Sequence, residues 1–594
     1  MSEQSGFHRQ LTFLISGMLA GAMGCLLALA QSSQTLNPAD YSVPTWTRIQ
    51  RMLAEMKDAS RPYSINVTVN GDPQTRVGIA WFTNSTCTEG RVQISETPDF
   101  KYPAIEVEAL SRLTQPLNYS NARNNLAGVE PGEKITYCSH KALVKDLRPG
   151  TTYYYRVGND DFWSDTGSFT TADGSTEYSF IYLTDTQAEN DEEFDVSQKT
   201  MRAAVRTVPD AAFIMFNGDF VESWGENNSE WEYEQWFSTM QDVWMHHILV
   251  ATHGNHDKTP NCNYSWHFNF DNSFNETSTV RTLLDGAVYS FERGDVLYLV
   301  ISTEDWGIRG YYDALAAWMR ERVAESSAKW RIASFHRNMF TGSWHQDDHE
   351  QLLTREALLP VFGELNIDIA IQGHDHLYEV IGPVRSTDMT LVEDAVQELE
   401  DTGTPGSIEN MTGKAGGVYD VTEGTLYFLN NSAGKKKYWP RNEEQMSASY
   451  DKHQVDNYFG LFTGMFGQPE NGAPTFSRVD VSSDKITFTT FTVDPDGKAH
   501  FLDSFDVVKK ESIQTGTTEI SDASEPKIIR MGSNILVDGP GKYDISVYTP
   551  AGVKAASGTG RSLDISDLEA GIYVVRAVSG KKTVTGKIEK REAE

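Results

Sequence analysis

Two histidines spaced two apart, His374 and His376, close the stretch Ile371-Gln372-Gly373-His374-Asp375-His376. They follow an apolar run at 367–371 that reads as a buried strand, and a glycine ends that strand. In an extended or turning backbone both imidazoles can reach neighbouring points. Such a placement suits two metal ions about 3.5–4 Å apart, the separation used in two-metal hydrolysis. A lone His-x-His says little, but the pattern recurs. The apolar run 178–183 leads to Asp185-Thr186-Gln187, and 212–216 leads to Asn217-Gly218-Asp219. The run 248–251 leads to His253-Gly254-Asn255-His256-Asp257, and 331–335 leads to His336-Arg337-Asn338. Carboxylates and imidazoles together suit Fe, Zn or Mn, and a shared carboxylate keeps two dications close. Metals so held lower the pKa of a bound water and neutralise charge that develops in the transition state.

The elements that must position these residues alternate between strand and helix. Helical patterns fall at 196–208, 231–240, 313–324 and 350–362, and further strands at 288–293 and 296–302. That alternation implies sheets covered by helices, with ligands at the carboxyl ends of strands. A polar insertion spans 387–417, and strand patterns return at 425–429, 476–481, 486–492 and 500–507. Residues 62–173 read as all-β, with short strands at 64–69, 76–82, 90–94 and 151–157 between Gly, Pro, Asn and Asp. A Ser/Thr/Gly/acidic linker at 511–525 precedes a small β unit over 526–594.

Residues 11–30 are almost wholly apolar, follow His8 and Arg9, and end Ala28-Leu29-Ala30, a small-x-small cleavage pattern. A signal peptide over 1–30 is the expectation, with an uncleaved anchor as the alternative. Residues 31–61 read as a linker and a helix carrying Trp46, Ile49, Leu53 and Met56 on one face. An exported location permits a disulfide, for which Cys87 and Cys138 are the expected pair, leaving Cys262 over. A net charge of −32 argues against nucleic-acid binding, which normally needs a basic footprint, and fits a soluble secreted protein.

The five blocks in this order resemble the calcineurin-like metallophosphoesterase superfamily. Leu147-Arg148-Pro149-Gly150-Thr151-Thr152-Tyr153-Tyr154-Tyr155 resembles the tyrosine corner of a fibronectin type III sandwich. A domain of that kind in front makes the purple acid phosphatases the nearest resemblance, over about 62–509. It implies a four-layer αββα metallophosphoesterase sandwich at 176–510 with a dinuclear metal centre. Carried over by position, Asp185, Asp219 and His376 would hold the first metal. Asp219 would bridge to a second that Asn255, His336 and His374 complete. His256 would contact the phosphoryl group or leaving oxygen. His345 falls where that family places a substrate-facing histidine, and His349 is a further candidate. Two departures stand out. Where plant and mammalian purple enzymes have no side-chain ligand in the first block and a tyrosine in the second, this chain has Gln187 and Glu222. The protein should therefore not be purple; Gln187 would bind a metal or orient its water, and Glu222 would stand behind the ligands or be solvated. Lys435-Lys436-Lys437 could touch phosphate or be solvated.

Residues 543–548, the Gly552 turn and residues 568–576 resemble a type IX secretion sorting domain. That resemblance implies passage across an outer membrane and secretion machinery as partner, the alternative being a plain accessory β-sandwich. The expectation is an exported hydrolase of small phosphomonoesters, using a metal-activated hydroxide. A phosphodiesterase with the same centre is the rival, and a surface binding protein with a degenerate site comes third.

Overall fold

The computed structural model describes residues 61–509 apart from 102–104, 125, 127–129, 260–261, 273–285, 344, 346–347, 385–416, 423, 440–463 and 468–471. It then describes 527–590 apart from 532–533, 539–541, 550–552 and 581. The expected signal peptide, the helix carrying Trp46 and almost all of the insertion at 387–417 lie outside these residues.

Two large sheets stack face to face. In the first, three parallel strands, Tyr178–Leu183, Ile214–Phe216 and Ile248–Ala251, lie side by side. Antiparallel strands Thr475–Val481, Lys485–Val493 and Ala499–Val508 extend one flank. The second sheet sets Val296–Val300, Trp330–Arg337, Ile369–Gly373 and Thr425–Leu429 parallel to one another. Ile248–Ala251 and Val296–Val300 are buried throughout, as strands covered on both faces must be. Aromatic rings fill the space between the sheets. Phe213 stacks on Phe180 at 4.7 Å and meets Tyr298 edge-on at 5.5 Å, and Phe428 meets Phe488 at 4.9 Å.

Helices cover the outer faces and complete the four layers. Helix α1 (Asp191–Thr207) packs on the first sheet. Helix α2 (Glu230–Ser238) is almost wholly buried beside strand Tyr63–Thr68. Helices α3 (Tyr311–Glu325) and α4 (His349–Leu365) enclose a second core with Leu315, Met319, Leu358 and Phe362 against the other sheet. Helix α1 begins five residues before its apolar pattern because its start is written in polar residues. Asn190 Oδ1 accepts the amide of Glu193 at 3.2 Å, and the Glu193 carboxylate accepts that of Glu189 at 3.0 Å.

The N-terminal β-sandwich is not appended to this body; it continues one of its sheets. Strand Tyr63–Thr68 pairs in parallel with Ile248–Ala251, Val67 opposite Ile248 and Thr68 opposite Leu249. Beyond it follow Val77–Asn84, Tyr137–Val144 and Leu110–Leu113, so eleven strands form one sheet. The facing sheet of the sandwich is Gly167–Thr170, Thr152–Gly158, Arg91–Ser95 and Ile105–Glu108. Tyr153 accepts the Arg148 amide on its hydroxyl at 2.9 Å, which ties down the turn between them, as a tyrosine corner does. His140 stacks on Trp81 at 5.1 Å and lies 2.7 Å from both the Thr83 and Ser111 hydroxyls, a packed core histidine.

The expected Cys87–Cys138 disulfide is absent: neither sulfur, nor that of Cys262, takes part in a disulfide. Register places Cys138 opposite Thr83 inside the sheet, whereas Cys87 lies in the turn beyond it, where its sulfur accepts from Asn159 Nδ2 at 3.2 Å. The C-terminal residues build a three-stranded and a four-stranded sheet around their own core of Ile535, Val537, Ile545, Val547 and Val575.

Candidate metal centre

Five parallel strands from the two sheets end at one place, and the turns that follow them carry the polar side chains inward. Asp185, Gln187, Asp219 and His374 all have left-handed backbones, with φ of 57°, 33°, 53° and 77°. Side chains avoid that region, so four such residues in one cluster mark backbone held for function. The turns are clamped from behind. Asp257, fully buried, accepts the amides of Asp219 at 2.7 Å and Gly254 at 2.8 Å and the Tyr233 hydroxyl at 2.7 Å. Asn217 Nδ2 donates to the Ile371 carbonyl at 2.8 Å and so joins one sheet to the other directly beneath the cluster. At Gly254 the loops touch: a Cβ there would lie 2.1 Å from Asp219 Oδ1.

The ligand atoms of Asp219, His336 and His374 lie within 4.8 Å of one another, all buried. His336 Nδ1 donates to the Asn217 carbonyl at 2.6 Å, which turns Nε2 toward Asp219 Oδ2 at 3.2 Å and Asn255 Oδ1 at 3.1 Å. A carbonyl accepting from the far ring nitrogen in this way fixes a metal-binding imidazole in position. His376 Nε2 lies 3.5 Å from Asp185 Oδ1, and both Asp185 oxygens receive the His374 amide at 3.1–3.2 Å. Gln187 Nε2 donates to Asp219 Oδ2 at 2.8 Å, while its Oε1 is buried with no hydrogen-bond partner among the described residues. Burial would lower the His336 pKa, but the Asp219 and Asp185 carboxylates outweigh it and lift it to about 10. Burial, reinforced by His345 and Arg337, holds His374 well below the usual imidazole range. Asp219 is held low against its own burial by His336 and His256. Two carboxylates, three imidazoles and the amide oxygens of Gln187 and Asn255 converging in a largely buried pocket fit a pair of transition-metal ions.

Residues 178–378 match the calcineurin-like phosphoesterase family model, and residues 62–171 match the purple acid phosphatase N-terminal domain. The chain belongs to the calcineurin-like phosphoesterases of purple acid phosphatase type. Acid phosphatase type 7 of Danio rerio is 24% identical over 272 residues, covering 41% of this chain and 58% of that protein. Probable inactive purple acid phosphatase 9 of Arabidopsis thaliana is 24% identical over 279 residues, covering 40% and 42%. A purple acid phosphatase from yellow lupin (Lupinus luteus) seeds shares the fold with a TM-score of 0.56 at 14% identity over 78% of each chain.

Within this purple acid phosphatase-type frame, Glu222 is buried beside Arg123 at 3.3 Å and pairs with Lys436, and its carbonyl accepts from His256 Nδ1 at 2.5 Å. It stands behind the histidine rather than among the ligands. Lys435 pairs with Glu192 at 2.9 Å, so these two lysines of the basic run are bound to acids. His256 Nε2 lies 3.9 Å from Asp219 Oδ2. His345 Nδ1 meets Asp348 at 2.6 Å, its Nε2 lies 4.0 Å from Asp375, and its ring lies 4.3 Å from that of His374. Against burial, the carboxylates of Asp375 and Asp348 raise the His345 pKa.

The expectation for His349 needs correction. It opens helix α4, is exposed, and meets Trp306 edge-on at 5.9 Å instead of joining the cleft. Conversely, several cleft residues carried no motif. A cleft of about 460 Å³ opens from Asn255, His256, His345 and His374 and is lined further by Arg337, Glu304, Trp306 and Trp224. Arg337 donates to Glu304 Oε2 at 3.1 Å and Glu350 at 3.0 Å and lies 3.3 Å from His374 Nε2. Tyr438 stacks on His376 at 4.4 Å with the rings 11° apart. Only the position of Arg337, directly after His336, hinted at any of these.

Proposed function

We propose that the protein is an exported phosphoesterase that hydrolyses small phosphomonoesters at a dinuclear metal centre. The observation that carries this reading is the convergence of Asp219, His336 and His374 within 4.8 Å, beside the Asp185–His376 pair. Asp185, Gln187 and His376 would hold one metal, Asn255, His336 and His374 the other, and Asp219 both. Such a pair lowers the pKa of water and offsets charge on a transferring phosphoryl group.

The chain's own groups divide the remaining work. The Glu222 carbonyl fixes His256 through Nδ1, so its Nε2 is the atom offered to the phosphoryl oxygens. Asp348 fixes His345 through Nδ1, and its raised pKa keeps a proton on Nε2 for the departing alcohol. Export rests on the apolar segment ending at Ala30 and on the C-terminal unit's likeness to a sorting domain. A degenerate site would lack ligands, and here every expected ligand position is filled.

The test uses the chain from residue 31, loaded with Mn, Zn or Fe, against p-nitrophenyl phosphate and bis(p-nitrophenyl) phosphate. Metal-dependent monoester cleavage, lost on chelation and at least a hundredfold lower in His374→Ala, is expected. Preference for the diester would replace this reading with the phosphodiesterase one. No turnover of either ester by metal-loaded protein would overturn both.

A further inference from the structure

Two tryptophans stand where the cleft leaves the metal centre. Trp224 is 59% exposed, among the most exposed large apolar side chains described, and Trp306 is half-buried. Neither is on a loose loop. The amides of Glu222 and Ser223, just before Trp224, both donate to the buried carboxylate of Glu232 at 3.0 and 2.8 Å. Just before Trp306, Glu304 is held by the buried Arg337, and Asp305 by Lys258 at 2.9 Å. An indole kept in water by a rigid support retains apolar surface that burial would otherwise remove from solvent. Two such indoles on one cleft make stacking faces for a planar ring.

The charges of the cleft narrow the choice. Its two long cations are already engaged, Arg337 by Glu304 and Glu350, and Lys258 by Asp305. Asp348 adds a further carboxylate to the lining. Each of these carboxylates is itself paired, Asp348 with His345 at 2.6 Å, so outside the metal centre the cleft lining offers aromatic faces and no unpaired long cation to receive a further phosphate.

Resting on the phosphomonoesterase reading above, we infer that the preferred substrate is a monoester whose alcohol carries an uncharged planar aromatic ring. Trp224 and Trp306 are its specificity-determining residues. An aryl phosphate and a nucleoside 5′-monophosphate share this chemistry.

The experiment compares kcat/KM for phenyl phosphate, adenosine 5′-monophosphate, adenosine 5′-triphosphate and glycerol 2-phosphate in the wild-type metal-loaded chain, Trp224→Ala, Trp306→Ala and Trp306→Phe. Phenyl phosphate and the nucleoside monophosphate separate the two sources of the ring. The wild type should favour at least one of them over glycerol 2-phosphate. Each alanine variant should lower that ratio about fivefold or more, the low end of what stacking contributes, and Trp306→Phe should restore most of it. The triphosphate should be turned over less efficiently than the monophosphate. A wild type with no ring preference, or ratios untouched by either alanine variant, overturns the inference while leaving phosphatase activity intact. If no ester turns over, the phosphoesterase reading fails, and calorimetric binding of adenosine 5′-monophosphate against glycerol 2-phosphate decides the inference. Equal affinity in the wild type, or no loss in Trp224→Ala, overturns it there too.

Discussion

A methyl group at Gly254 would meet Asp219 Oδ1 at 2.1 Å, far inside contact distance, with the Asp219 amide at 2.6 Å as its next neighbour. The loop bearing Asn255 can approach the Asp219 carboxylate only because that position has no side chain. Gly254→Ala should therefore drive Asp219 and Asn255 apart. Bound metal, measured by elemental analysis, should fall to less than half the wild-type content, and kcat/KM for p-nitrophenyl phosphate should fall at least a hundredfold. Wild-type metal content in this variant would sink the ligand assignment. Asp257 acts one step further back, accepting two loop amides and a buried hydroxyl. Asp257→Ala leaves these donors unpaired, so a loss of about 3 kcal/mol or more is expected in a urea melt. At this scale the candidate ligands were legible because each follows an apolar strand within a few residues. Arg337, Trp224, Trp306 and Tyr438 were not: each acquires its role through partners far away in sequence, as Arg337 does through Glu304, 33 residues before it.

Among the elements, helix α2 carries a carboxyl group that reports on the site loop. Burial, opposed by donors from Asn124 and Ser223, lifts the Glu232 pKa from the ordinary 4.5 to about 7. The folded chain holds this proton more tightly than the unfolded chain does, so this group's contribution to stability falls as pH rises from about 4.5 to 7. Glu232→Gln cannot titrate and should lose that slope. Melting temperatures of wild type and variant between pH 4.5 and 7 check this, and parallel curves would refute the assignment. The strands that pattern missed were hidden for identifiable reasons. Tyr378–Val384 contains Gly382-Pro383, which reads as a break. Tyr137–Val144 buries Ser139 and His140 through hydrogen bonds to Trp266, Thr83 and Ser111, so its polar residues disguise an inner strand. The start of α1 was missed because a cap of Asn and Glu carries no apolar period. The joining of two sheets through Val67 and Ile248 has no local signature at all.

At the scale of the whole molecule the two flanking β units differ in kind. The C-terminal unit has its own core and meets the body through contacts such as Arg561 to the Ser504 carbonyl at 3.5 Å. A chain ending at residue 510 should keep kcat within twofold and the main calorimetric transition within about 2 °C, losing only a separate smaller transition. The N-terminal sandwich shares both sheet and core with the body. A chain beginning at residue 176 should aggregate, as judged by size-exclusion chromatography, because it bares strand Ile248–Ala251 along one edge. The shared sheet also sets a timetable for biogenesis. Val67 must wait for Ile248, about 180 residues later, and at roughly 5–20 residues per second that is roughly ten to forty seconds of synthesis. Throughout that interval the nascent sandwich has an unsatisfied apolar border, the most open to mispairing with neighbouring chains. A holding chaperone that covers this border until Ile248 emerges would suppress that mispairing.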